Sequence, residues 1–173
     1  SKGIEQNTCE FVTDVFKKYI KTKNLSVISG PSFAIDMAHN EPVGLSIASK
    51  NIKTIKEIKK VLSSDTVKLR TSNDIIGVEL CGSVKNVIAI ASGILEGLGY
   101  NESTRSFLIT ESLHDIKSLI YGLGGKKKTI LSFAGVGDLL LTATSTKSRN
   151  YTYGILIGKK NYIMADDYLN NNT

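Results

Sequence analysis

The stretch Ile75–Gly99, IIGVELCGSVKNVIAIASGILEGLG, decides the fold. Apolar residues fall on nearly every side of a 3.6-residue repeat, which predicts one long helix enclosed by protein. The stretch is long enough to span a bilayer, yet Glu79, Lys85, Asn86 and Glu96 interrupt it. Polar groups at membrane depth are costly, so a core helix is expected and no membrane insertion. Lys85 stands alone near the middle. It either reaches solvent along its alkyl stem or is held inside for a purpose, and burial would lower its pKa and make it a proton acceptor. Cys81, Ala89, Ser92 and Glu96 share its helical stripe, so that side is not purely apolar.

Upstream, strands and helices alternate. Thr8–Ile20 reads as a helix with Phe11, Val15 and Ile20 on one side, and Leu25–Ser29 as a short strand broken by Gly30 and Pro31. Ser32 is placed to cap a short helix through His39, a strand–turn–helix arrangement that is either an ordinary capped turn or a cradle for an anion. A second strand, Val43–Ala48, a helix, Asn51–Ser63, and a third strand, Val67–Arg70, follow, and Thr71, Ser72, Asn73 or Asp74 can cap the long helix.

Downstream of Ser72 the strand signals stop. Helical patterns cover Asn101–Tyr121, Ile130–Ala134, Leu139–Ala143 and Tyr151–Ile157, with Asp138 placed as an N-cap after the turn Gly135, Val136, Gly137. The polar terminus MADDYLNNNT is expected to fray. The fold class is therefore α/β followed by mainly α, divided near Ser72 into 1–72 and 73–173.

Composition agrees with a soluble globular protein of one domain or parts of two: 173 residues, 41% hydrophobic and 22% charged. The opening SKGIEQNT is not a secretory signal, and the expected location is cytoplasmic. Cys9 and Cys81 match no metal spacing and are expected to be reduced and structural. The net charge of +6 favours anionic partners, whether nucleic acid, phospholipid or a phosphorylated metabolite. A basic module binding nucleic acid or acidic proteins is the alternative reading, but no aromatic residues alternate with lysines on a strand face. GLGGKKK at 122–128 lacks the spacing of a phosphate loop, no G-x-G-x-x-G follows a strand, and His39 and His114 have no metal-ligand partners at useful spacing. Ser148, Arg149 and Asn150 set a fork-shaped cation and two hydrogen-bonding side chains at a helix start, an arrangement suited to a phosphate monoester.

Three motifs taken in order are more specific than any one of them. GPSFA at 30–34, GVELCGSVKNVIAIASGILEGLG at 77–99 and AGVGDLLLTATSTKSRN at 134–150 resemble the bacterial NAD(P)-dependent glycerol-3-phosphate dehydrogenases, as does the opening KGIE at 2–5. The resemblance implies the end part of a Rossmann-like sheet domain followed by an incomplete all-helical substrate domain. It implies hydride transfer between sn-glycerol 3-phosphate and NAD or NADP, with Lys85 as the catalytic proton acceptor. Gly30, Ser32, Asp138, Ser148, Arg149 and Asn150 would join Lys85 in binding the substrate, and Ala34 and Arg149 would contact the cofactor. The family's glycine-rich pyrophosphate turn has no counterpart in this chain, nor does a Glu-Gly pair beyond the last motif, and after Gly158 the resemblance ends. The expectation is thus a chain with little or no turnover by itself, whose open sheet edges favour a homodimer.

Overall fold

The computed structural model describes residues 2–22 and 24–172. In chain order the elements are α1 (Val12–Tyr19), β1 (Ser26–Ser29), α2 (Ala34–Ala38), β2 (Val43–Ser49), α3 (Ile52–Leu62), β3 (Val67–Ser72), α4 (Ile75–Gly97) and α5 (Glu102–Gly122). A 3-10 turn (Lys127–Leu131) and a π turn (Phe133–Gly137) lead into α6 (Asp138–Thr144), α7 (Arg149–Gly158) and α8 (Tyr162–Asn172). The α/β-then-α order read from the sequence is the order observed. Two compact units form, Ser1–Ser83 with Ile116–Asp138, and Val84–Asp115 with Leu139–Thr173. Because α4 and α5 each give residues to both, compactness divides the chain differently from the change of composition at Ser72.

In the first unit the strand order is β1-β2-β3. β2 and β3 are parallel and joined by α3, whereas β1 is antiparallel to β2, with Ser26 opposite Ser49 and Ser29 opposite Ser46. The antiparallel strand has a simple cause. A parallel connection must cross the length of the sheet, usually on a helix, and α2 has only five residues. The chain after Ser29 therefore turns back at the same end of the sheet and enters β2 there.

Side chains along β2 alternate between two covered faces. Leu45 and Ile47 join Ile55 of α3 and Leu69 of β3 on one side, while Ala48 on the other meets Ile75 and Val78 of α4 and Ala134 of the π turn. Buried carboxylates then fix the helix ends. Asp74 caps α4, accepting from the Gly77 amide at 3.0 Å, and its second oxygen accepts from the Lys126 amide at 2.8 Å and the Thr129 hydroxyl at 2.5 Å. Glu79 accepts from the Thr13 amide at 2.9 Å and the Thr13 hydroxyl at 2.6 Å, holding the first turn of α1 against α4.

Three expectations need correction. The helix after GPSFA starts at Ala34 and follows Phe33 with no side-chain cap, so Ser32 lies too early to cap it and instead donates to the Gly30 carbonyl at 3.5 Å. Asp138 has helical backbone angles and opens α6 from inside the helix, so it is not an N-cap. The terminal segment is helical as far as the structure describes it: α8 runs to Asn172, starts where the Asn161 side chain accepts from the Met164 amide, and has Ala165 fully buried.

In the second unit α4 and α7 touch through their backbones. A Cβ on Gly93 would stand 2.1 Å from the Tyr151 carbonyl oxygen and one on Gly97 2.3 Å from that of Ile155. Reciprocally, Cβ atoms on Gly154 and Gly158 would stand 2.2 and 2.3 Å from the Ile90 and Ile94 carbonyl oxygens. Residue numbers rise together along the contact, so the helices run in the same direction. The buried Tyr151 hydroxyl donates to Glu96, which Arg105 approaches at 3.5 Å. Burial, and then the Glu96 carboxylate, push the Tyr151 phenol up to about 12. Among the described residues α4 is the one helix long and apolar enough to cross a membrane, and more than half of its apolar window is buried in protein.

Gly93→Ala and Gly154→Ala should each lower stability in urea unfolding by about 3 kcal/mol, because rigid backbone meets the new methyl group. Gly122→Ala, with open space around it, should leave stability within about 1 kcal/mol of the parent. In an alkaline absorbance titration, Tyr151 should ionise near pH 12. Its raised folded-state pKa means that the unfolded chain loses this proton first, so stability should fall as pH rises from about 10 towards 12.

Candidate active-site residues

The second unit holds Lys85, and it is buried, with 8% of its surface exposed. It does not reach solvent along its stem. Its Nζ donates to the Thr142 hydroxyl of α6 at 2.9 Å. Two turns further along α4, Ser92, which has no exposed surface, donates to the Ala143 carbonyl at 2.7 Å. The polar stripe noted in the sequence is thus a line of attachments, with Lys85 and Ser92 on α6 and Glu96 on α7. The Lys85 amine is held at a defined place inside the protein, with the Thr142 hydroxyl as one of its partners.

Ser148 is the N-cap of α7, its buried hydroxyl accepting from the Tyr151 amide at 3.4 Å. Arg149 and Asn150 form the first two positions of that helix, Arg149 exposed and Asn150 half-buried. The glycine contact places them along α4. Gly154 lies against Gly93 and Gly158 against Gly97, and the same register carried back sets Arg149 level with Ile88. That is three residues past Lys85, roughly 4.5 Å along the axis. The amino end of α7, where backbone amides and the helix dipole favour an anion, therefore opens towards the level of Lys85.

The first unit holds Gly30, Ser32, Ala34 and Asp138. Gly30 is buried at the end of β1, where a Cβ would stand 2.6 Å from the Gly44 carbonyl oxygen, so only glycine fits. The turn after it adjoins the one before Asp138, since a Cβ on Gly137 would stand 3.4 Å from Pro31. Asp138 is 2% exposed and accepts from Lys2 Nζ at 2.5 Å. Gly82 of α4 leaves room for this lysine, a Cβ there falling 3.3 Å from its Cγ. Ser32 is half-buried beside this turn and Ala34 is exposed.

Sequence reasoning missed two of these residues. Lys2 stands in the KGIE motif, and its pairing with Asp138 joins positions 136 residues apart, which no local pattern reveals. Thr142 follows Asp138 by four residues in a helical pattern, a spacing that could have marked it. The cysteines are both free, Cys9 exposed and Cys81 buried. Burial, with smaller contributions from the Asp74 and Asp138 charges, pushes the Cys81 thiol up to about 12 and leaves it unreactive. His39 ends α2 and His114 lies on α5, both exposed.

Comparison with known proteins adds an independent line. The model of the NAD-dependent glycerol-3-phosphate dehydrogenase C-terminus matches residues 74–171, beyond Gly158 where the resemblance was expected to end, and that of the N-terminus matches residues 1–55. A glycerol-3-phosphate dehydrogenase [NAD(P)+] of Rhizobium johnstonii is 40% identical over 159 residues, 92% of this chain and 49% of the relative. One of Clostridium acetobutylicum is 38% identical over 159 residues, again 92% of this chain and 48% of the relative. The chain spans about half the length of the curated relatives it matches. Among solved structures, the glycerol-3-phosphate dehydrogenase of Coxiella burnetii superposes with a TM-score of 0.88 at 38% identity, over 95% of this chain and 51% of that one. The Plasmodium falciparum structure, 19% identical with a TM-score of 0.86, shares the fold. Matched by family models over both its sheet and its helices, this chain belongs to the NAD-dependent glycerol-3-phosphate dehydrogenase family.

Proposed function

We propose that this chain supplies the substrate-binding and proton-transfer part of a glycerol-3-phosphate dehydrogenase, interconverting sn-glycerol 3-phosphate and dihydroxyacetone phosphate with NAD or NADP. The observation that carries this reading is the buried Lys85, fixed by Thr142. Oxidising a secondary alcohol requires a base for the hydroxyl proton while hydride leaves the same carbon, and Lys85 in its neutral form takes that proton. In reverse, the protonated ammonium returns it to the ketone oxygen. Thr142 keeps the amine oriented through either step, which spares reorganisation when charge develops.

The amino end of α7 is assigned the phosphate. Arg149 supplies a planar pair of donors, and Ser148 and Asn150 supply shorter polar groups beside the helix amides. In the first unit Gly30, Ser32 and Asp138 are assigned to the substrate by family resemblance, with Lys2 added through its pairing with Asp138. Residues 1–72 serve as the remaining part of a dinucleotide-binding domain and 73–173 as the substrate-binding part, a division supported by the separate family matches to 1–55 and 74–171.

By family resemblance, Ala34 of the first unit and Arg149 of the second are assigned to a nicotinamide cofactor, Ala34 through its exposed methyl group and Arg149 through its guanidinium. When bound there, NAD or NADP would supply the ring that accepts hydride. A cytoplasmic setting and a homodimer complete the proposal. β1 and β3 each pair on one side within the sheet, and Ile28 on β1 is 37% exposed, so edge pairing between two copies would satisfy open backbone groups.

Calorimetric titration of the 173-residue chain with sn-glycerol 3-phosphate tests the site. Binding should be measurable and should weaken about tenfold or more in Arg149→Gln. Any NADH-dependent reduction of dihydroxyacetone phosphate should fall by about 100-fold or more in Lys85→Met. No binding, or full turnover in Lys85→Met, would overturn the assignment. Light scattering should give twice the chain mass of 18.8 kDa, and a monomer at micromolar concentration would exclude the dimer.

A further inference from the structure

We infer that the first unit carries a second, separate anion site at the carboxyl ends of β2 and β3, taking a phosphate group in free or esterified form. A crevice of about 390 Å³ opens where these parallel strands end and α3 begins. Lys50, from the end of β2, and Lys128, from the 3-10 turn after α5, both line it, together with Thr71 and Asn73. Among the described residues no carboxylate lines it. Asp74, next in sequence, is not among the lining residues and commits both oxygens to Gly77, Lys126 and Thr129. Among the described residues neither lysine has an ion-pair partner, so two lysines without a counter-charge line one crevice with a threonine and an asparagine. An anion relieves their repulsion and gives each a partner.

The backbone under both lysines is anchored. Ser49 donates to the Leu25 carbonyl at 2.6 Å and the Asn51 side chain donates to that of Asn24 at 2.6 Å, flanking Lys50. Thr129, bound to Asp74, fixes the segment that carries Lys128. Ile52 and Ile55 form an apolar wall, and the volume exceeds what one phosphate needs, so the body of a small ester also fits. The site is distinct from the one assigned to Gly30. Because β1 is antiparallel, Gly30 adjoins Leu45, four residues back along β2 from Ser49, roughly 13 Å away.

Amide-resolved NMR titration of the 173-residue chain tests this, first with inorganic phosphate and then with glycerol 3-phosphate, at ionic strength held constant with chloride. The Lys50, Thr71, Asn73 and Lys128 amides should shift saturably. The double variant Lys50→Gln, Lys128→Gln should weaken this binding about tenfold, and Arg149→Gln should leave it unchanged. Tighter binding of glycerol 3-phosphate would identify an ester as the occupant, and tighter binding of phosphate the free anion. Shifts that survive in the double variant, that chloride alone reproduces, or that vanish in Arg149→Gln would overturn the site.

Discussion

Everything in the second unit depends on how closely two helix backbones approach. Gly93 and Gly97 of α4 lie against Gly154 and Gly158 of α7, and at each of the four a single methyl group would collide with a carbonyl. Apolar side chains at those positions would hold the helices 8–10 Å apart, as in ordinary packing. The glycines instead set one separation and one register. That register decides the level at which α7 begins, and so where Arg149 stands along α4 relative to Lys85. Tyr151 and Glu96 lock the same contact with a buried hydrogen bond.

The first unit rests on charges used as fasteners. Asp74 and Glu79 are buried near the start of α4, and each gains hydrogen bonds from backbone and hydroxyl donors of a distant segment. Unpaired, each would impose a heavy desolvation cost; paired, they attach α1 and the turn after α5 to α4 in one geometry. The same helix is thus fixed at its start by carboxylates and along its later turns by glycine contacts. Lys85 falls between these two regimes, where α4 carries neither, and its ammonium is held by Thr142.

Much of this was legible in the residues. The long, largely apolar run marked α4, a short strand-like run marked β2, and Asp74 was among four candidate caps for the long helix. The misplaced features share a cause. Ser32 and Asp138 have the chemistry of caps, but capping depends on where the helix starts, and local sequence leaves that uncertain by a residue or two. The terminal segment looked polar enough to fray, yet the burial of Ala165 outweighs weak propensity. The direction of β1 followed from the short α2, a length that becomes decisive only once the strands are paired.

Periodicity and motif order by themselves determined the fold class, the family and the identity of Lys85 as the residue to explain, because each depends on residue type at short spacing. Tertiary structure alone decided that Lys85 is buried and bonded to Thr142, that Lys2 pairs with Asp138, and that Lys50 and Lys128 line one crevice. Each of these joins segments more than 50 residues apart. Such contacts depend on sheet direction and helix register, which arise from packing the whole chain and leave no signature in any one segment of it.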